Sequence, residues 1–204
     1  NPRLRAAIDN ALSQNMTKDT IERAIKRGAG SSEADNLLEI CYEGYGTNGV
    51  AVLVMSLTDN RNRTVAEVRH AFSKCGGSLG TEGSVAYQFR KVGWILLATD
   101  SDEDKAMELA LEHDCDEINP QDDGSIEIEV APEKFMDIKQ IFTDAEFTIT
   151  DSEITMLADN KVSLNRDQAE KMMRLIDMLE DLDDVQNVYS NADIADDILE
   201  ALNS

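Results

Sequence analysis

The spacing of apolar residues divides the chain into a short helical beginning and a longer region of alternating strands and helices. Within residues 1–30, apolar positions recur every three to four residues in two runs, which predicts two short helices. The second run follows Thr17, a residue type that caps helices, and GAGSSEAD at 28–35 is typical of a linker. Two helices this short cannot bury their apolar faces against each other alone, so we expect a further partner for them.

After the linker the pattern becomes that of strands. Two apolar runs, 38–44 and 50–58, flank the glycine-rich turn YGTNG. A helix follows, in which Thr64 and Glu67 have the spacing of a capping box. The alternating segment SVAYQF at 84–89 predicts a third strand.

A second unit follows with little interruption. It consists of a strand at 94–99, a helix at 102–113, a hairpin at 115–130 around Asp123-Gly124, a helix at 132–142 and a strand at 148–157. This order is βαββαβ, the ferredoxin-like pattern. A helix at about 166–182 and a strand at 185–189 come next, and Asn191 is predicted to cap a terminal helix.

The late strand at 185–189 suggests how the two units are related. If it returns to the first sheet, residues 50–89 plus 160–190 form another βαββαβ unit, with the 94–157 unit inserted into it. The pattern is compatible with this arrangement and leaves the strand pairing open, because periodicity does not fix which strands pair.

Charge is divided unevenly along the chain. The formal net charge is −22, yet residues 1–91 contain 12 Lys and Arg against 10 Asp and Glu, whereas residues 92–204 contain 7 against 31. Such asymmetry is typical of a protein whose neutral-to-basic end contacts a partner. An acidic half that only keeps the protein in solution explains it equally well.

Neither a membrane span nor an export signal is predicted. Cys41, Cys75 and Cys115 are far apart and form no CxxC pair, so the sequence predicts neither a zinc site nor a disulfide framework. We expect each to be a reduced, buried, small apolar residue of a cytoplasmic protein. The chain begins at Asn1 rather than Met, so we expect residues ahead of it.

No motif of a catalytic site is present. His70 and His113 are the only histidines, and neither lies near a nucleophile motif such as GxSxG. A P-loop and a dinucleotide-binding fingerprint are also absent. We therefore expect a protein that is not an enzyme and has no cofactor, metal or small-molecule substrate.

The segment TDNRNRT at 58–64 is the first candidate site. It joins a strand to a helix N-terminus, where unpaired N–H groups and the helix dipole favour anions. Arg61 and Arg63 lie there, and Arg69 lies on the following helix, so these side chains could hold a nucleic-acid phosphate. The residues fit equally well an alternative in which Asp59 and Asn60 cap the turn and the arginines form ion pairs with Asp59 or Glu67.

The two predicted N-terminal helices carry a second basic set. Its members are Arg3, Arg5, Lys18, Arg23, Lys26 and Arg27. Basic residues on a small helical module suit phosphate contacts, which provide affinity with little choice of sequence. A solvated helix face explains the same residues.

Two glycine clusters and one acidic cluster complete the candidates. Glycine at 42–50 and 74–84 predicts turns and permits close approach of a nucleic acid, on whose bases Tyr42 or Tyr45 could stack. Four carboxylates, from LEDLDD at 179–184, are predicted at a helix C-terminus, where they oppose the helix dipole. An ion or a basic partner would offset that cost, but solvation by water is the simpler interpretation.

Several segments resemble the YebC family, in the order in which the family has them. These are NPRLRAAI at 1–8, NMTKDTIERAIKRGAG at 15–30, YEGYGTNGVAV at 42–52, TDNRNRTVAEVRHAFSK at 58–74, GGSLGTEGSV at 76–85 and LEDLDDVQNVYSN at 179–191. The resemblance implies an α+β fold with an N-terminal helical domain followed by two ferredoxin-like βαββαβ domains, one inserted into the other. Applied to this chain, the domains are 1–36, 37–92 plus 158–204, and 93–157.

The resemblance also implies a function. Family members are described as transcriptional regulators that bind DNA, while others act in translation or relieve ribosome stalls at proline-rich stretches. Family members also begin with a strongly basic stretch ahead of the NPRLR segment, which this chain lacks. We therefore expect nucleic acid as the partner, either DNA or ribosomal RNA, with the ribosome as an alternative target and no membrane association.

Overall fold

The structure, a computed structural model, describes residues 2–13, 16–30 and 37–203 and shows a mixed α+β architecture with antiparallel sheets. The helices are α1 (Pro2–Ser13), α2 (Lys18–Gly30), α3 (Arg61–Lys74), α4 (Glu103–Glu112), α5 (Phe135–Asp144), α6 (Arg166–Glu180) and α7 (Asp196–Asn203). The strands are β1 (Leu38–Tyr45), β2 (Ala51–Thr58), β3 (Ser78–Leu79), β4 (Phe89–Leu97), β5 (Glu117–Pro120), β6 (Ile126–Val130), β7 (Ile149–Ala158), β8 (Val162–Ser163), β9 (Val185–Ser190) and β10 (Ala192–Asp193).

The first sheet has the strand order β3-β1-β2-β9, and every pair in it is antiparallel. Its central strand β2 is buried on both faces. Val52 and Val54 pack with α3 and α6, whereas Ala51 and Leu53 pack with Val85 on the opposite face. This two-sided burial explains why β2 is a nearly continuous apolar run rather than an alternating one.

The second sheet has the order β5-β6-β4-β7 and is also antiparallel throughout. Its apolar face carries Ile95 and Ile128, which pack with Ala106 of α4 and with Phe135 and Phe142 of α5. The elements β4, α4, β5, β6, α5 and β7 follow one another in the order predicted from the sequence. A short parallel ribbon of β8 and β10 lies outside both sheets.

The strand predicted at 84–89 is wrong. Residues 86–88 form a 3-10 helix, and the strand β4 begins only at Phe89. Val85 is fully buried, and its amide donates to the side chain of Glu43 at 2.8 Å instead of to a neighbouring strand. The first sheet is formed by β3, β1, β2 and β9 without this segment.

Two predicted helix caps are also wrong. Asn60, rather than Thr64, caps α3, because its side chain accepts a hydrogen bond from the Arg63 amide at 3.1 Å. Asn191 does not cap the terminal helix, which begins at Asp196. Asn191 is instead buried, and its side-chain oxygen accepts from the Ala51 amide at 2.8 Å.

The three cysteines do not share one environment. Cys75 is buried as expected, and Cys115 is half-buried. Cys41 is exposed, so the prediction that each thiol is buried is wrong for this residue. Residues 28–30 of the linker predicted at 28–35 belong instead to α2, and residues 31–35 lie outside the described residues. Within the described ranges, no helix is both long and apolar enough to cross a membrane.

Candidate nucleic-acid interface

The turn between β2 and α3 is built around a carboxylate that is distant in sequence. Strand β9 pairs with β2, and the Leu57 amide donates to the Asp184 carbonyl at 2.8 Å. This pairing brings Asp184 beside Thr58, the last residue of β2, and beside the first turn of α3. The segment that was predicted to bind an anion therefore already has a carboxylate of the protein, that of Asp184, beside it.

Asp184 accepts hydrogen bonds from three side chains. Its Oδ2 accepts from the Thr64 hydroxyl at 2.7 Å and from the Thr58 hydroxyl at 3.0 Å. Arg63 donates from Nη2 to the two carboxylate oxygens at 2.9 and 2.8 Å and from Nε to Oδ2 at 3.2 Å. The same Nη2 also reaches Asp59 at 3.0 Å.

These bonds determine the protonation of Asp184. Burial by itself raises the pKa of this carboxyl, but hydrogen bonds from Thr64, Arg63 and Thr58 favour the charged form and outweigh it, so the pKa lies below its usual range. The same pairing raises the pKa of Arg63. Asp184 is therefore an ionised, fully hydrogen-bonded group that holds β2, α3 and β9 together.

Arg63 and Arg61 have different environments, although the sequence offered them as a pair. Arg63 is held by Asp184 and Asp59, which is the structural alternative considered for this segment. Arg61, the first residue of α3, is exposed and makes no ion pair with the described residues. The amides of Arg61 and Asn62 likewise have no hydrogen-bond partner within the described chain, so this helix end presents a cation and two free donors.

Replacing Arg63 with Ala is expected to lower the melting temperature, because Asp184 then loses its charged partner while remaining buried. Thermal unfolding followed by circular dichroism measures this. Arg69→Ala is the matched control, since Arg69 is exposed on the same helix and makes no ion pair with the described residues. Equal melting temperatures for the two variants would contradict a structural role for Arg63.

The remaining basic candidates lie on two elements. Arg69 lies on α3, eight residues beyond Arg61, which is about 12 Å along a helix axis. Arg5, Lys18 and Arg23 are exposed on the packed pair α1 and α2. Arg3, Lys26 and Arg27 belong to the same two helices, but their side chains lie outside the described part of the structure.

The tyrosine candidates lie in packed surroundings. Tyr42 is 7% exposed and belongs to the core of the first sheet, so its ring is not available for stacking. Tyr45 is half-buried against Ala51 and Leu53, and its hydroxyl donates to the Ser84 carbonyl at 2.9 Å. Both rings serve the packing around the glycine-rich turns.

A second buried carboxylate orders one of the glycine clusters. Glu43 is 5% exposed and accepts from the amides of Gly83, Val85 and Ala86 at 2.6, 2.8 and 2.8 Å. Burial alone raises the pKa of Glu43, but these amide hydrogen bonds outweigh it and lower the pKa. The Glu43 carboxylate therefore accepts the amide hydrogen bonds of residues 83–86 that a neighbouring strand would accept in a sheet.

Sequence reasoning missed Asp184 and Glu43. The sequence indicated Asp184 only as one of four carboxylates at a helix end, with solvation by water as the simpler interpretation and an ion or a basic partner as the alternative. A usable signal was the position of Asp184 directly before a strand that was itself expected to return to the first sheet. Glu43 carried no comparable signal, because its partners are backbone amides about forty residues away.

The open face of the second sheet is acidic. A cleft of about 580 Å³ lies there, lined by Arg90, Trp94, Glu117, Glu127, Glu129, Glu153, Thr155, Met156, Leu157, Ala158, Asp159, Lys161, Ser190, Asn191 and Ala192. Arg90 pairs with Glu129 and with Asp159 at 2.6 and 2.9 Å. Within the described ranges, no group of three or more His, Cys, Asp or Glu side chains is arranged to hold a metal ion.

Comparisons with known proteins place nearly the whole chain in one family. Residues 1–31 match the description "TACO1/YebC protein N-terminal domain", and residues 37–192 match "TACO1/YebC second and third domain". A Coxiella burnetii protein named "Probable transcriptional regulatory protein" is 58% identical over 199 residues, covering 98% of this chain and 82% of that protein. A Pseudomonas aeruginosa protein of the same name is 54% identical over 202 residues, with 99% and 82% covered.

A solved structure agrees with this assignment. The crystal structure of a conserved hypothetical protein from Aquifex aeolicus superposes with a TM-score of 0.81 at 41% sequence identity. The match covers 98% of this chain and 82% of that one.

Proposed function

Since the chain belongs to the TACO1/YebC family, whose relatives are named as transcriptional regulatory proteins, we propose that it is a non-enzymatic regulator that binds DNA. The observation that carries this proposal is the N-terminal end of α3, where Arg61 is exposed beside two amides and, among the described residues, neither Arg61 nor these amides has a partner. A helix N-terminus with an adjacent guanidinium suits a backbone phosphate. Such contacts position a protein on a duplex but do not read its sequence.

The other exposed basic residues are further phosphate contacts in the proposal. Arg69 on α3 and the basic residues of α1 and α2 add phosphate contacts, which make the affinity depend on salt. Arg63 contributes indirectly, because its ion pair with Asp184 fixes the start of α3. Tyr45 contributes by packing the glycine-rich turn through its bond to Ser84.

We further propose the domain division 1–36, 37–92 plus 158–204, and 93–157. Two observations support it. The two antiparallel sheets have separate helix-covered cores, and the second sheet is formed only by strands that lie between residues 89 and 158. The pairing of Phe89 with Ala158 places the two ends of that segment side by side.

Arg61→Ala is expected to weaken binding to a duplex a few-fold at every sequence tested and to reduce the slope of log K against log[salt] by about 1, the change for one lost phosphate contact. Fluorescence anisotropy with a labelled duplex at several salt concentrations measures both quantities. The melting temperature should not change, because Arg61 has no ion pair among the described residues.

Lys91→Ala is the matched control, since Lys91 is exposed on β4 and its loss removes the same charge. An unchanged affinity and slope for Arg61→Ala would remove the α3 end from the interface. A structured ribosomal RNA fragment measured in parallel tests the alternative target. Tight, Arg61-dependent binding to the RNA with weak binding to the duplex would replace transcriptional regulation with a role on the ribosome.

The cellular target is tested by crosslinking the full-length protein in growing cells and sequencing the attached DNA and RNA together. Enrichment of discrete genomic DNA, with ribosomal RNA at background, is the expected result. Enrichment of a few ribosomal RNA sites instead would contradict DNA binding as the main activity.

A further inference from the structure

A pocket between α3, α6 and the β1–β2 connection collects positive charge that the proposed function does not use. Its volume is about 370 Å³, and it is lined by Thr47, Lys74, Cys75, Gly76, Lys171 and Arg174. Three of these side chains are cations, and none is acidic. In a chain with a formal net charge of −22, a pocket of this composition is unusual.

The packing of the core explains why Lys74, Lys171 and Arg174 lie around one pocket. Met172 and Leu175 of α6 are buried against the first sheet, so Lys171 and Arg174, one position before each, emerge together on the same side of the helix. Lys74 is the last residue of α3, which packs beside α6. The C-terminal end of α3 and the middle of α6 therefore frame one opening.

The charged side chains that line this pocket have no direct partner among the described residues. Lys74, Lys171 and Arg174 are exposed, and none makes an ion pair or a hydrogen bond with the described residues. The carboxylates nearest in sequence on α6, Asp167, Glu170 and Asp177, are exposed and do not line the pocket. Like charges around one opening repel each other, and a bound anion relieves that repulsion.

The uncharged side of the pocket is formed by a turn that lies directly on α6. A Cβ placed on Gly46 would come within 2.7 Å of the Met172 sulfur, so the β1–β2 connection touches the helix there. This contact puts Thr47, with its hydroxyl, at the pocket. Gly76 has φ +77° and no heavy atom within 4 Å of a Cβ position, which leaves the opposite wall open.

We propose that this pocket binds a phosphate group. A guanidinium presents paired N–H donors that match phosphate oxygens, and two ammonium groups supply further charge. The pocket lies at the C-terminal end of α3, whereas Arg61 lies at its N-terminal end, about 20 Å away for a helix of this length. The inference thus goes beyond the proposed function and does not depend on Arg61. The phosphate belongs either to a free phosphorylated compound or to a nucleic-acid backbone.

The test uses the full chain carrying Lys171→Ala and Arg174→Ala together, with two probes, inorganic pyrophosphate and the labelled duplex. Wild-type protein should bind one of them through this pocket, and the double variant should bind it about ten-fold more weakly, as expected for the loss of two charged donors. Both sites are exposed helix positions that tolerate Ala, so the melting temperature should be unchanged. The control variant Lys161→Ala with Arg166→Ala removes the same charge outside the pocket.

The two probes distinguish the sources of the phosphate. Weaker pyrophosphate binding in the pocket variant alone supports a site for a free phosphorylated compound. Weaker duplex binding in that variant alone, with a smaller salt slope, supports a backbone phosphate. Equal affinities of wild type and pocket variant for both probes overturn the proposal, as does an equal loss in the control variant. The Arg61→Ala experiment tests the N-terminal end of α3 independently. Failure of the pocket proposal therefore does not contradict phosphate binding by Arg61, and failure of the Arg61 prediction does not contradict the pocket proposal.

Discussion

Replacing Glu43 with Gln is expected to lower the free energy of unfolding by roughly 3 kcal/mol, since three amide donors lose a charged acceptor in a buried site. The substitution preserves shape but puts an NH2 group where one carboxylate oxygen now accepts hydrogen bonds. Either orientation of the amide leaves at least one backbone N–H facing another donor. Residues 83–86, which have no strand pairing, should lose their order first.

Urea unfolding followed by circular dichroism measures this change, and for a chain of this size it corresponds to a decrease of roughly 6–12 °C in melting temperature. Glu82→Gln is the matched control, because Glu82 lies in the same loop but is exposed. If both variants unfold at the same urea concentration, the buried carboxylate does not organise the loop.

The substitution Asp184→Asn should lower the free energy of unfolding by roughly 2 kcal/mol, since it removes the charge that pairs with Arg63 and leaves the shape of the side chain. Asn can still accept from one hydroxyl, so the loss is smaller than at Glu43. Asp183→Asn, one residue earlier and exposed, should have almost no effect.

The pH dependence of this difference provides a second measurement. The pKa of Asp184 is lower in the folded protein than the ordinary Asp value of 3.8, so its contribution to stability is complete above that value and is lost as the pH falls through the lowered pKa. The stability difference between wild type and Asp184→Asn should therefore be constant from neutral pH to about pH 5 and shrink below the ordinary Asp range. A difference that grows on acidification would mean that Asp184 is not stabilised in its charged form.

Much of the fold could be predicted because its core positions repeat at regular intervals. The helical spacing of Met172, Leu175 and Leu179 identified α6, and the turn dipeptide Asp123-Gly124 located the hairpin of β5 and β6. These signals are local, since each depends on residues within one or two turns of the chain. Membership of the family, suggested by the same segments, is confirmed by the matches to both of its descriptions.

What could not be predicted depends on contacts between distant residues. The alternation in SVAYQF is typical of a strand, but its amides are satisfied by Glu43, which no local pattern reveals. In the same way, Arg61 and Arg63 look equivalent in sequence. The pairing of β9 with β2 makes the environments of the two arginines different, because it places Asp184 beside Arg63.

The sequence accordingly selected a candidate site but did not distinguish the environments of its two arginines. The sequence identified the segment 58–64 and left anion binding and ion pairing as equal alternatives. The structure assigns the ion pair to Arg63, while Arg61 has no ion pair among the described residues. Charge counts also gave no indication of the pocket at Lys74, Lys171 and Arg174, since its members come from opposite halves of an unevenly charged chain.

The pairing of Phe89 with Ala158 has a consequence for the history of the gene. The first residue of β4 and the last residue of β7 are partners in an antiparallel ladder, so their Cα atoms are only about 5 Å apart. A tight turn could join two such positions without moving either chain end, although the packing of Met156 against Ala51 and Leu53 would be lost. A recombination event with breakpoints at the codons of these two residues could therefore insert, delete or exchange the coding sequence between them. The register of the remaining strands would not change.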